Sequence, residues 1–556
     1  MKSNFHFVIQ SEAKNLKSVS LCIQILPPFG CLDDRMLWEF HLDASTFFQS
    51  MKKLHLYLLF TLITGILHAQ SLAQRLDSLI FNDPLLRTSE VGVTVFDLTT
   101  GESLFRYQDE KLYRPASTEK VITSVTALST LGTDYTMNTR LQYTGQIEND
   151  TLKGSLYLVG GFDPELMDAD LDSLVEAVAR SGIRFITDTL AADVSMTDSV
   201  YWGSGWSWDD VPASFQPYMS PLMLNRGCVD VTVKPTIKDS LPDVVCVPAS
   251  DYYQVDNDAV SHQPLAGKLK VTRNWLSNGN LIHISGNVSK PETKTLSVYD
   301  SKNFFFHTFI NRLKQKGIES NQIAFSDCPQ TDSITVVTSL YTLQRPINEV
   351  LKQMMKESDN LCAESMFYHL AMHHAKHKRV SDKDGSDAIY RFMKERLGFN
   401  PEYYRIEDGS GVSLYNYVSP RLLLEYLKCA YYQAEIFQPF YESLPIAGID
   451  GTLEHRMKNT PAYRKVRAKT GSVTGVSSLA GYAKASNGHQ LAFVIINQNV
   501  MKLRLARAFQ DKICAILCGQ CFMSTIVDRR NEVAELENSI KVIPEVSSYS
   551  NLKPPV

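Results

Sequence analysis

From about residue 139 to residue 338 the chain reads differently from everything around it, and that interruption limits what it can fold into. Short β-rich runs, among them Leu141-Gln142-Tyr143, Ser155 to Val159 and Val229 to Val233, are separated by Gly, Pro and Asn. Single helices are predicted there near Leu171 to Arg180 and Phe304 to Lys316. The flanks differ. Before the stretch come a helix over Ser71 to Asn82, a hairpin of Val91 to Asp97 with Ser103 to Tyr107, and a helix over Ser117 to Leu131. After it come long amphipathic helices through Met355, Phe367, Ala388 to Leu397 and Pro420 to Ala434. Strands at Val466 to Thr470, Leu479 to Lys484 and Gln490 to Asn497 follow, then a last helix from Lys502 to Leu517. At 556 residues, about four times the commonest domain length, two or three domains are expected. The interruption says how they are arranged: 70–138 and 339–521 are the halves of one split domain of mixed α/β class, and 139–338 is one or two inserted β-rich domains.

Targeting signals decide the compartment, because ten cysteines are too dilute for a disulfide scaffold. Met51-Lys52-Lys53 precedes an apolar run from Leu54 to Leu67, broken by His55, Thr61, Thr64 and Gly65, and then Ala69-Gln70-Ser71. A basic start, about 14 apolar residues and a small exit residue make a signal peptide over 51–69, too short for a spanning helix. The segment 1–50 is read as an upstream extension foreign to the native protein, with translation starting at Met51. The mature chain then begins near Gln70 and works in the periplasm or otherwise outside the cytoplasm, and 522–556 is a flexible tail. Basic and acidic residues nearly balance, 56 against 60, so no long-range field draws the protein to nucleic acid or an anionic membrane.

Three short motifs stand in order: Ser117-Thr118-Glu119-Lys120, Ser358-Asp359-Asn360 and Lys469-Thr470-Gly471. Singly they are weak, since S-x-x-K recurs at Ser11/Lys14, Ser50/Lys53 and Ser550/Lys553. Context separates the copies. The Ser117 copy opens a helix with an apolar face, which places Ser117 and Lys120 one turn apart on the same side. The Ser358 copy lies at a turn between helices, and Lys-Thr-Gly ends a strand. A serine hydroxyl needs an adjacent base, and a lysine one turn away serves if it is neutral. Free lysine titrates near 10.4, so holding it unprotonated at pH 7 costs about 4.6 kcal/mol unless the site depresses its pKa. Lys469 across the cleft and exclusion of water are expected to do so, while Asn360 and the Ser358 hydroxyl orient Lys120 and relay its proton. Lys469 and Thr470 can bind a substrate carboxylate, and Gly471 lets a peptide approach as an added strand. The backbone N–H groups of Ser117 and Ser472 are the expected oxyanion hole. No cofactor and no metal enters this chemistry.

Jointly the motifs match the S-x-x-K, S-D-N and K-T-G set of class A β-lactamases and penicillin-binding proteins. Ser358 lies 241 positions after Ser117 and Lys469 a further 111. With these spacings the chain resembles the D-alanyl-D-alanine carboxypeptidase/endopeptidase family of low-molecular-mass penicillin-binding proteins, whose transpeptidase-like domain carries large insertions. Glu407 to Ser413, Ala447 to Leu453 and Gly160-Gly161-Phe162-Asp163-Pro164 resemble it too, so the likeness runs from about Gln70 to Gly519. The resemblance implies an antiparallel sheet flanked by helices and a penicillin-sensitive acyl-enzyme on Ser117. It further implies peptidoglycan stem peptides as substrates, β-lactams as acylating inhibitors, and a contribution of Asp163 to a pocket for the substrate's side-chain amine. Leu414 departs from the family, which often has arginine there, and puts the polar half of that pocket in question. Two alternatives stay open: a serine β-lactamase, which needs a water-activating base that no sequence feature identifies, and a catalytically inactive wall-binding protein.

Other patterns receive plainer readings. Cys514, Cys518 and Cys521 have iron–sulfur spacing but sit on an apolar helix of an exported chain, where buried thiols or one disulfide are expected. His373, His374 and His377 read as a solvated basic helix end rather than a zinc site. Phe304-Phe305-Phe306 reads as core of the insertion. Asp209 and Asp210, near Trp206 and Trp208, read as loop structure rather than a glycosidase pair.

Overall fold

The structure, a computed structural model, describes residues 18–22, 39–43, 71–329 and 336–519. It divides into two compact units, Met1–Gln74 and Arg75–Val556. In the first, Ser18–Cys22 pairs antiparallel with Glu39–Asp43. The rest of 1–50, the segment 51–69 read as a signal peptide, Cys521 and the segment 522–556 read as a tail lie outside the described residues.

In the second unit a five-stranded antiparallel sheet runs in the order Val466–Val473, Val476–Lys484, Gln490–Gln498, Glu90–Asp97, Glu102–Tyr107. The N-terminal hairpin thus completes a sheet whose other three strands come from the last part of the chain. Gln490–Gln498 is buried from Leu491 to Asn497, the mark of a strand covered on both faces. Ala492, Val494 and Ile496 pack in one apolar core with Leu422, Leu423 and Leu427 of the helix Pro420–Tyr431. The alternate residues face the last helix, Leu503–Gly519, where Gln510 donates to Asn497 Oδ1 at 3.1 Å and Ser477 Oγ at 3.2 Å.

The same core surrounds the helix Glu119–Leu131, buried from Glu119 to Leu128, and the helix Asn360–Ala375, buried from Asn360 to Ala371. Both helices are buried on every side for most of their length, polar residues included, and they bring the first and second motifs together.

The insertion begins and ends on one pair of strands. Thr136–Thr144 runs antiparallel to Val337–Pro346, with Thr136 opposite Pro346 and Thr144 opposite Val337. The expected limits, 139 and 338, fall inside this pair because each strand runs unbroken across them. The two strands edge a seven-stranded sheet, and two three-stranded sheets complete the region. Its own core gathers Leu141, Leu171, Val175, Phe304, Phe305 and Phe309, so the Phe304 run is core as read from the sequence.

Candidate active site

The first motif is held in a constrained turn. Ala116 has φ 49°, costly for a residue with a Cβ, and Ser117 follows on the 3-10 turn Ala116–Thr118 before the helix Glu119–Leu131. The Pro115 carbonyl holds the turn by accepting from Thr118 Oγ1 at 2.7 Å and from Ser478 Oγ of the sheet at 2.6 Å. Gly471 abuts the same turn: a Cβ there would stand 2.9 Å from Ser117 N and 2.2 Å from Ser478 Oγ, so only glycine fits. Ser117 is left half-exposed while Lys120 is wholly buried.

Lys120 Nζ donates to Ser117 Oγ at 3.0 Å, Asn360 Oδ1 at 2.7 Å and the Ser410 carbonyl at 2.7 Å. Burial lowers its pKa to about 8, against the pull of Asp408, Glu364 and Asp359. In the second motif Ser358 has φ 62°, and Asp359 caps the following helix by accepting from Cys362 N at 2.9 Å. Asn360 donates through Nδ2 to the Phe215 carbonyl at 2.7 Å, which turns its Oδ1 toward Lys120. Lys469, buried, donates to Ser358 Oγ and to the Thr470 carbonyl, both at 2.8 Å. Thr470 Oγ1 donates to Thr452 Oγ1 at 2.8 Å, and Ser472 is exposed, its Oγ accepting from Arg507 at 3.2 Å. All three motifs therefore meet in one cleft. One expectation changes: burial depresses Lys120, and the like-charge effect falls on Lys469, lowered well below its usual range by burial and by Lys120.

Several supporting residues had no role assigned from the sequence, although Asp408, Ser410 and Gly411 lie in the Glu407–Ser413 stretch that carried part of the family resemblance. The Glu364 carboxylate accepts from Ser410 N at 3.0 Å and Gly409 N at 3.2 Å, fixing the loop whose Ser410 carbonyl meets Lys120. An acid among Leu361, Ala363, Met366 and Phe367 is its only trace in the sequence. Asp408 accepts from Trp206 Nε1 at 2.9 Å, Gly411 N at 2.8 Å, Ser413 N at 2.7 Å and Asn416 Nδ2 at 2.7 Å. Gly411, φ 82°, brings this loop so near the Ala116 carbonyl that a Cβ would stand 2.0 Å from it. Arg226, from the insertion, grips Glu165 at 3.0 and 2.8 Å and reaches Asp359 Oδ2 at 3.7 Å. It projects from three successive residues of positive φ, Asn225, Arg226 and Gly227.

Asp163 stands apart from the motifs' contacts. Its side chain has zero exposure, pairs with Arg345 at 3.3 Å and accepts from Glu165 N at 2.9 Å. Burial raises its pKa to about 6 against the pull of Arg345. A carboxylate so covered presents nothing to a substrate amine. Leu414 is half-buried and donates through its backbone N–H to the Gly205 carbonyl at 3.2 Å. Cys514 and Cys518 are buried free thiols, and His377 faces Asp384 at 3.7 Å, a neighbouring acid that the sequence reading did not place there. Among the described residues no three His, Cys, Asp or Glu side chains are grouped to hold a metal.

The stretch of chain that holds this serine, the buried lysine, the S-D-N turn and the K-T-G strand matches a known family model. The description of that model is D-Ala-D-Ala carboxypeptidase 3 (S13) family, and it spans residues 72–518. The chain belongs to this family. Its relatives include the D-alanyl-D-alanine carboxypeptidase DacB of Haemophilus influenzae, 29% identical over 418 residues, 73% of this chain and 85% of the relative. The D-alanyl-D-alanine carboxypeptidase of Actinomadura sp. (strain R39) is 29% identical over 433 residues, 75% of this chain and 79% of the relative. Among solved structures, penicillin binding protein 4 (dacB) from Haemophilus influenzae superposes with a TM-score of 0.68 at 26% identity, covering 79% of this chain and 98% of that one. The S13 likeness bears out the expected mixed α/β fold with its antiparallel sheet and flanking helices.

Proposed function

We propose that the protein is a serine-type D-alanyl-D-alanine carboxypeptidase/endopeptidase of peptidoglycan maturation, working through an acyl-enzyme on Ser117. The observation that carries this is the contact of Ser117 Oγ with a fully buried Lys120 whose pKa falls to about 8. A neutral lysine amine has a lone pair, so the Ser117 hydroxyl then donates to Nζ and is activated for attack. Oγ adds to the carbonyl of the penultimate D-Ala, and its proton passes to Lys120. The oxyanion sits against the N–H groups of Ser117 and Ser472. As the C–N bond breaks, Lys120, with Ser358 as relay and Asn360 holding it in place, returns the proton to the leaving D-Ala nitrogen. Water then hydrolyses the ester. Lys469 and Thr470 receive the substrate's terminal carboxylate, which restores the ammonium form of Lys469. A β-lactam meets the same attack, the four-membered ring opening onto Oγ. The Haemophilus influenzae relative has been solved in complex with a β-lactam, which supports this reading.

Site and substrate imply work outside the cytoplasm, with 51–69 as the export signal. No helix among the described residues is long and apolar enough to cross a membrane.

Release of D-Ala from a D-Ala-D-Ala peptide tests the proposal. Activity should climb as pH rises toward about 8, where Lys120 loses its proton. Lys469→Met removes a charge-assisted contact, typically about 1.5–3 kcal/mol, so turnover of that peptide should fall roughly tenfold to a hundredfold. An amide-capped peptide should lose much less. Equal losses on both make Lys469 structural, and rapid penicillin hydrolysis without D-Ala release points to a β-lactamase.

A further inference from the structure

Between Trp206 and Phe215 the chain leaves the cleft and returns to it. Trp206 Nε1 donates to Asp408 at 2.9 Å, and the Phe215 carbonyl accepts from Asn360 Nδ2 at 2.7 Å. Gln216 Nε2 closes the loop on the Ser207 carbonyl at 2.9 Å. Both ends are tied to residues around Lys120, so the loop's outer part is carried at the edge of the cleft.

That outer part carries one indole into water, beside a second indole from another segment. Trp208 is 67% exposed, and its ring packs against Trp275 with centroids 5.4 Å apart and planes at 39°. Leu276, beside Trp275, is 77% exposed, and Phe215 is 48% exposed. Large apolar rings gain from leaving water, and a contiguous exposed patch next to a cleft marks a surface that receives a ligand. Its chemistry narrows the choice. Asp209 and Asp210 follow Trp208 directly, and Asp209 is exposed. Carboxylates beside the rings repel an anionic lipid surface and offer acceptors to hydroxyl groups. A pyranose ring satisfies both features, its C–H face lying on the indoles and its hydroxyls donating to the carboxylates.

We propose that Trp208 and Trp275 form a platform for the glycan strand of peptidoglycan, holding sugar rings beside the cleft while the attached stem peptide reaches Ser117. The platform rests on the reading of this cleft as a stem-peptide site, and it adds a second point of attachment. Sugar and peptide are one molecule, so a sugar held at the rim raises the local concentration of the peptide end at Ser117.

Two substrates of equal peptide sequence, one carrying the disaccharide and one free, separate the contributions. The full-length enzyme should show a KM about tenfold lower for the disaccharide form with kcat nearly equal. Trp208→Ala and, independently, Trp275→Ala should erase that difference while turnover of the free peptide stays within about twofold. A parallel titration with peptide-free glycan oligomers, followed by indole fluorescence, should show saturable binding that either variant abolishes. Wild-type enzyme indifferent to the disaccharide, or variants that keep the full preference, would overturn the platform. So would variants that lose activity equally on both substrates. If neither substrate is turned over, the stem-peptide reading fails, and the glycan titration still decides the platform: saturable binding lost in the variants supports it, and no binding overturns it.

Discussion

Glu119 stands between the nucleophile and its base in sequence, yet its buried carboxyl has neither oxygen hydrogen-bonded among the described residues. Burial, reinforced by Asp408 and Glu364, pushes its pKa well above the usual carboxylate range. The sign follows. A carboxyl with a folded pKa above its unfolded value, near 4.3, leaves stability intact below about pH 4. Stability is lost as pH rises from there toward the folded pKa. Glu119→Gln should therefore raise the melting temperature by roughly 2–4 °C at pH 8 and change it little at pH 4. Thermal scans at both pH values check this, and a larger gain at pH 4 would contradict it. Lys120 shows the opposite use of burial: the same desolvation that burdens Glu119 makes a base of an amine.

At the scale of elements, the helix Asn360–Ala375 carries both Asn360 and Glu364, and each reaches Lys120 by its own path, directly or through the Ser410 carbonyl. Arg226 steadies the start of that helix from outside. Arg226→Met should slow penicillin acylation about three- to tenfold in stopped-flow traces with KM for a peptide substrate nearly unchanged, and Arg226→Lys should restore part of the rate. An unchanged rate would remove Arg226 from the site's support. Much of this geometry was legible in the sequence. The Ser117/Lys120 pair declares itself because one helical turn is a fixed distance, and the K-T-G strand because it opens a group of three strand-like runs ahead of the last helix. The brace was not legible: a backbone carbonyl such as that of Phe215 has no residue signature, and Arg226 meets Asp359 only after a long excursion through another sheet. Asp163 misled for the same reason, since its partner Arg345 lies at the far end of the insertion.

Across the whole molecule, the insertion builds the site as well as adding to it. Thr144 and Val337 face each other, so a short linker could join them and remove the residues between. That deletion takes away Trp206, Phe215 and Arg226, the groups that hold Asp408, Asn360 and Asp359. The shortened protein should fail to react with penicillin even where it remains folded by circular dichroism, and retained acylation at the full rate would show the insertion to be a separable appendage. The central claim, that Ser117 is the nucleophile and Lys120 its base, is most directly tested by intact mass and peptide mapping after exposure to penicillin. One adduct of the drug's mass on the peptide containing Ser117, absent in Ser117→Ala and much slower to form in Lys120→Met, is the predicted result; no adduct, or one on another residue, would contradict it.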